Sequence, residues 1–121
     1  SLLRPGGQLI IEVPHSRDAL ISTFNLDCFK KFTFWSEHLV LHTRQSLQKI
    51  FEDAGFEVVK IYGYQRYPLQ NHLRWLASQK PTGFHGWQEL SSPQLEKEYS
   101  KVLEREDITD TIIGIFRKPM N

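Results

Sequence analysis

A single cysteine, Cys28, stands in the 121 residues, so no disulfide can form within the chain. A lone thiol suits a reducing compartment, and a cytoplasmic protein is expected. Cys28 lies among Phe24, Leu26 and Phe29, where it fits as a small apolar filler. An excess of either charge is lacking as well. Fifteen Lys and Arg face 14 Asp and Glu, for a net charge of +1, and the two signs are interleaved. Phosphate backbones call for clustered Lys and Arg, so nucleic acid is excluded as the expected partner. No apolar run approaches the length that spans a bilayer, and the first residues lack the layout of a signal peptide. A soluble chain with no membrane partner is expected. With no internal repeat or low-complexity linker, and with 40% hydrophobic and 24% charged residues, residues 1–121 read as one globular domain.

What is present alternates between strand and helix. Leu9, Ile10, Ile11 and Val13 put apolar side chains on both faces of Gln8 to Val13, the mark of a strand inside a sheet covered by helices. Such a strand calls for neighbours on both edges. Asp18 to Phe34 is rich in Phe and poorly periodic, which predicts one short helix and irregular structure packed as a flap. Thr43 can cap a helix carrying Leu47, Ile50, Phe51 and Ala54, ended by Gly55 and followed by a strand over Phe56 to Tyr64. After Pro68 a helix sets Leu69, Leu73 and Leu76 on one face, with Trp75 beside it. Ser92 and Pro93 start another, with Leu95, Tyr99, Val102 and Leu103 on its apolar side, and Thr109 to Phe116 closes the chain as a strand. A helix joined to a strand through one glycine is the α/β habit.

Taken in order, "LLRPGGQLIIEVP", "SLQKIFEDAGFEVVKIYGYQRY" and "TDTIIGIFRKP" resemble the last three strands of a class I S-adenosylmethionine-dependent methyltransferase, and "FWSEHLVLHT" and "QRYPLQNHLRWL" resemble a bacterial branch of it. The resemblance implies an α/β, partial Rossmann-like methyltransferase fold of about three strands with three to four helices. The first and second strands would be parallel, with the last antiparallel between them. In that family a glycine-rich turn after the first strand and an acid after the second hold the donor; no GxGxG occurs here, so no cofactor-binding residue is carried over. The resemblance therefore implies the C-terminal half of such an enzyme, as a truncated gene product, a proteolytic remnant or a cut piece. S-adenosylmethionine would serve the intact enzyme, and none is expected to bind this part alone. An open outer edge on the first strand, or a bare sheet face, implies a homodimer or union with the missing N-terminal half.

Candidate residues gather around the strand ends. Glu12, the one acid in an apolar strand, faces either a pocket or solvent at the edge. His15, in the loop just past that strand, stands where an acceptor-activating base can sit or where an ordinary solvated histidine would. His38 and His42 are four apart but lack a third ligand at fixed spacing, so packing or polar contacts are expected and no metal site. Glu37 and His38, in the family-like "EHL", are read as lining the substrate side. Arg66, Tyr67, Asn71 and His72 cluster with Trp75 at a strand-to-helix corner. There Arg66 would pair with a carboxylate or phosphate of a small-molecule acceptor while the aromatics stack on a sugar or ring. Equally, Asn71 and His72 would satisfy backbone groups around Pro68 while Tyr67 and Trp75 pack. Two functions compete: acceptor-side walls of a methyltransferase, inactive alone, or a non-catalytic α/β module that dimerises or binds a partner through an open sheet edge. An independent metal hydrolase has neither motif nor nucleophile elbow behind it.

Overall fold

The structure is a computed structural model that describes residues 3–36, 41–80 and 88–120. Within them run strand β1 (Gln8–Pro14), helices α1 (Ala19–Ser22), α2 (Asp27–Ser36) and α3 (Arg44–Asp53), and strand β2 (Glu57–Tyr64). Helices α4 (Leu69–Ser78) and α5 (Pro93–Arg105) and strand β3 (Thr111–Arg117) complete them, with a 3₁₀ turn at Gln88–Leu90. The sheet order is β1-β3-β2. β1 and β2 share a direction but do not pair with each other. The last strand lies between them, and both ladders are antiparallel, from Gln8 opposite Arg117 to Pro14 opposite Thr111 on one side. On the other, Glu57 to Tyr64 pair with Arg117 to Thr111 around a register shift between Val58 and Lys60. Among the described residues five α-helices stand where three to four are expected.

The extra helix comes from the Phe-rich stretch. The Asp18 carboxylate caps Leu20 and starts α1, Asn25 adopts a left-handed φ of 50° that ends the turn, and α2 restarts at Asp27. Two short helices therefore form where one helix and irregular structure are expected. The other helix starts follow the sequence: Thr43 and Ser46 form a reciprocal capping box, and Ser92 caps α5 ahead of Pro93.

One face of the sheet carries the core. Leu47 of α3 packs on Ile112 and Phe116 of β3, with Ile11 and Val13 of β1 and Ile61 of β2 beside them. Phe51 stacks on Phe116 with ring centroids 4.1 Å apart. The opposite face is not sealed: Ile10 is 67% exposed. The expectation of a strand covered by helices on both faces is thus corrected, because the even residues of β1 point away from α3. In α4 the buried side chains are His72 and Trp75, with Leu69, Leu73 and Leu76 only half-buried. Aromatic rings explain the shift: Phe29 and Phe32 close on Trp75 at 5.0 and 5.3 Å, and Phe24 meets His72 edge-on. On α5 only Leu103 is buried, while Leu95 and Val102 stand exposed against the expected apolar side.

Gly114 sits where a Cβ would come 2.6 Å from the Phe116 ring and 3.2 Å from Leu47 Cδ2. Both neighbours are core side chains held on several sides. Gly114→Ala is expected to destabilise the chain by about 1–3 kcal/mol in urea denaturation; a midpoint unchanged from wild type would show that the core yields freely.

Candidate functional site

β1 and β2 end, and β3 begins, at one end of the sheet, and most of the polar side chains singled out in the sequence meet there. Ligands of open α/β sheets gather at the C-terminal ends of such same-direction strands. Asp110 organises the exit of β2. Its carboxylate accepts the backbone N–H groups of Arg66 and Tyr67 at 2.9 Å each and the Thr111 hydroxyl at 2.9 Å. Its own N–H donates to Gln65 Oε1 at 2.9 Å. The turn at 65–67 is thereby fixed to the start of β3, and the Arg66 guanidinium pairs with Glu12 of β1. Glu12 and Arg66, far apart in sequence, are thus brought together at a half-exposed pair, so Glu12 is neither buried nor alone. Tyr67 stands 46% exposed next to them.

His72 lies behind this surface. Since an N–H donor requires an oxygen at Gln65 Oε1, the Gln65 amide nitrogen must be the group that faces Tyr67 O (2.9 Å) and His72 Nε2 (3.4 Å). His72 Nε2 therefore accepts, and Nδ1 carries the proton toward the Tyr99 hydroxyl at 2.5 Å. Burial holds the His72 pKa down at about 4, which agrees with the neutral ring. The reading of His72 as a backbone capper around Pro68 does not hold. Pro68 lends α4 no side-chain cap, and the Leu69 N–H is taken instead by Glu96 of α5. Asn71 is half-buried, and its N–H donates to Pro68 O at 3.0 Å.

His15 is not the solvated loop residue expected of its position. It is 1% exposed. Nδ1 lies 3.0 Å from Thr109 O, an acceptor only, so Nδ1 carries the proton. Among the described residues Nε2 has no hydrogen-bond partner, and it lies 3.6 Å from Asp107 Oδ1. Burial lowers the His15 pKa against the opposing pull of Asp107 and of the Thr109 bond. Asp107 is the link between elements here. At φ 56° it occupies the left-handed residue after α5, and its carboxylate accepts Arg44 Nε at 2.7 Å while its carbonyl accepts Arg17 Nε at 3.1 Å. Gly63 gives this contact room, since a Cβ there would meet Thr109 Oγ1 at 2.5 Å and Arg44 Nη2 at 3.4 Å. His42 forms an isolated parallel bridge with His15. Glu37 and His38 lie outside the described residues, so the His38–His42 pairing does too. Among the described residues no three metal-ligating side chains cluster.

Sequence reasoning missed Asp18, Tyr99, Asp107 and Asp110. The signal lay in "REDITDT", whose Asp107 and Asp110 precede a buried strand, and in the acid that starts the Phe-rich flap. Chemically, the end divides in two. His15 and His72 are sealed and serve as hydrogen-bonding struts, while Glu12, Arg66 and Tyr67 reach solvent and can meet a ligand. No helix among the described residues is long and apolar enough to cross a membrane.

Asp18 is buried, and desolvation pushes its carboxyl up to about 7, the Leu20 N–H opposing and the Asp110 charge adding to the rise. In the folded chain Asp18 thus holds its proton up to near neutrality, whereas unfolded it loses it near 4. Folding is unpenalised below that, loses stability as the pH climbs from about 4 to 7, and bears the full cost above 7. His72 acts in the opposite sense, losing stability as pH falls from 6.5 toward 4. Asp18→Asn keeps the cap acceptor and cancels the His72 contribution from the comparison. The variant is expected to be more stable than wild type at pH 8, by up to about 4 kcal/mol, with the gap closing toward pH 4. Paired urea titrations at several pH values measure it; a gap independent of pH would mean that Asp18 is solvated.

Compared with protein families, with characterised proteins and with solved structures, the chain matches none.

Proposed function

We propose that this chain forms the acceptor-side wall of a class I S-adenosylmethionine-dependent methyltransferase. One observation carries the reading most: two same-direction strands flank an antiparallel last strand and deliver Glu12, Arg66 and Tyr67 to one solvent-open end. Helix α3, Gly55 and β2 supply the expected "AGF" connection, with Gly55 at φ 93°. An exposed carboxylate–guanidinium pair contributes only about 0–1 kcal/mol, so Arg66 can exchange Glu12 for a carboxylate or phosphate of a small acceptor at little cost. Tyr67 then offers a ring face to a sugar or ring. His15 and His72 are too deeply buried to deprotonate an acceptor and act by fixing the wall.

The residues described do not fit the methyl donor. Gly6 and Gly7 precede a strand, Gly55 follows a helix, and Gly63 and Gly114 lie within strands, so none forms a strand-to-helix turn around the donor. The donor site therefore belongs to other residues than these, and methyl transfer needs both parts in place, since such reactions depend on positioning.

A second reading is favoured by Ile10 and by the outer edge of β1: a non-catalytic α/β module that joins a second copy, or another partner, through that edge or the bare sheet face. The coding sequence directly upstream of the Ser1 codon decides between the two. It is expected to continue in frame through a glycine-rich strand-turn-helix; a stop codon with no such unit removes the methyltransferase reading. Calorimetric titration of the chain with S-adenosylmethionine is expected to give no saturable heat, and micromolar binding would place the donor site within these residues.

A further inference from the structure

The backbone of β1 divides its residues by parity. Gly7 accepts Lys118 N–H at 2.9 Å and His15 donates to Asp110 O at 3.0 Å, so odd residues turn their backbone groups toward β3. Even residues turn theirs the other way, as strand geometry requires. The far end of that outer edge is taken: His42 donates to Pro14 O at 3.3 Å and accepts Ser16 N–H at 2.8 Å. The backbone groups of Gln8, Ile10 and Glu12 pair with no strand among the described residues.

Resting on the self-association reading above, we infer that this edge is a two-fold interface between two copies of the chain, β1 running antiparallel to the second β1 with Ile10 on the axis. The register follows from what each alternative leaves unpaired. Centring on Ile10 sets Gln8 against Glu12 of the second copy and uses all three open residues of both strands. Moving the axis to Leu9 sets Glu12 against Gly6 in the turn that precedes β1. Moving it to Ile11 sets Gln8 against Pro14, whose carbonyl already serves His42. Centring on Glu12 would oppose two like charges.

Side chains agree with that choice. Ile10, the exposed apolar residue of the strand, meets its own copy, and each Gln8 amide can donate to a Glu12 carboxylate whose charge Arg66 already compensates. The result is a continuous six-stranded sheet, β2-β3-β1 followed by its copy. Because the contact consumes the same edge on both copies, it closes at two.

Sedimentation velocity over about two decades of concentration, with amide hydrogen exchange by NMR on the same samples, tests it. The mass is expected to double with concentration while the Gln8, Ile10 and Glu12 amides gain protection; Leu9, Ile11 and Val13 should be protected throughout. Ile10→Pro removes an N–H that the monomer's own ladder does not use, so it should keep the fold and weaken association about tenfold or more. A monomer at every concentration would sink both the interface and the self-association reading. A dimer whose even-residue amides stay unprotected would overturn this edge and leave the sheet face as the contact. Protection of the Gln8, Ile10 and Glu12 amides already complete in samples that sediment as the monomer would show that a single chain covers the edge, and the inference would fall.

Discussion

The sheet depends on its last strand. β1 and β2 do not pair with each other, so the two ladders that hold them exist only once Thr111–Arg117 has entered between them. Those seven residues also bring Ile112 and Phe116 under Leu47 and Phe51, so the insertion that makes the sheet makes the core as well. Every ladder joins segments remote in sequence, some more than 100 residues apart, as Gln8 and Arg117 are. Loop closure must be met before any of this burial is gained, and folding that waits on the final strand is slow by topology.

Inserting a strand from the end of the chain creates a second demand, because the segment leading into it must turn sharply where three elements already converge. Asp107 meets it. After α5 the chain takes the left-handed conformation that glycine commonly supplies, with Ile108 N–H returning to Leu103 O at 2.9 Å. An aspartate tolerates that backbone and adds a carboxylate, which glycine cannot, and the carboxylate holds Arg44 at the start of α3. Three residues on, Asp110 performs the matching task on the other side by binding the backbone of Arg66 and Tyr67. The two acids of one short loop thus anchor α3 and the exit of β2 to the entrance of the central strand.

How far the sequence discloses this varies with the physics of each part. Periodicity and caps are local, and the three strands, the Thr43 and Ser92 starts and the Gly55 stop could be read directly. Burial is not local. The alternation of Leu9, Ile10, Ile11 and Val13 cannot say whether both faces are covered, and Ile10 is open. The leucines of α4 have the right spacing for a core face, yet the Phe rings of α2 reach Trp75 and rotate the buried face toward it. Among the site residues, Glu12, Arg66 and Tyr67 were legible because they flank strand ends. Tyr99, Asp107 and Asp110 were not, because they bond to residues remote in sequence, as His72–Tyr99 and Arg44–Asp107 show, and Asp18 was not, because its cap on Leu20 is local but its burial is not.

The same separation explains why the histidines changed role. An imidazole near a strand end reads as an acid–base group when only its position is known, yet both rings here are sealed and each has its proton assigned by an acceptor or donor that cannot reverse. Thr109 O can only accept, and the Gln65 amide is oriented by Asp110 N–H, so His15 and His72 are both Nδ1–H tautomers. Such rings carry direction rather than charge. They transmit the placement of the β3 entrance to α4 and α5, and the solvent-facing groups Arg66 and Tyr67 are aimed by Asp110, a half-buried residue whose own carboxyl is pushed up by desolvation. The proposed acceptor wall would therefore be only as rigid as the buried polar belt behind it, and a change at Asp110 would move that wall without touching what it is proposed to bind.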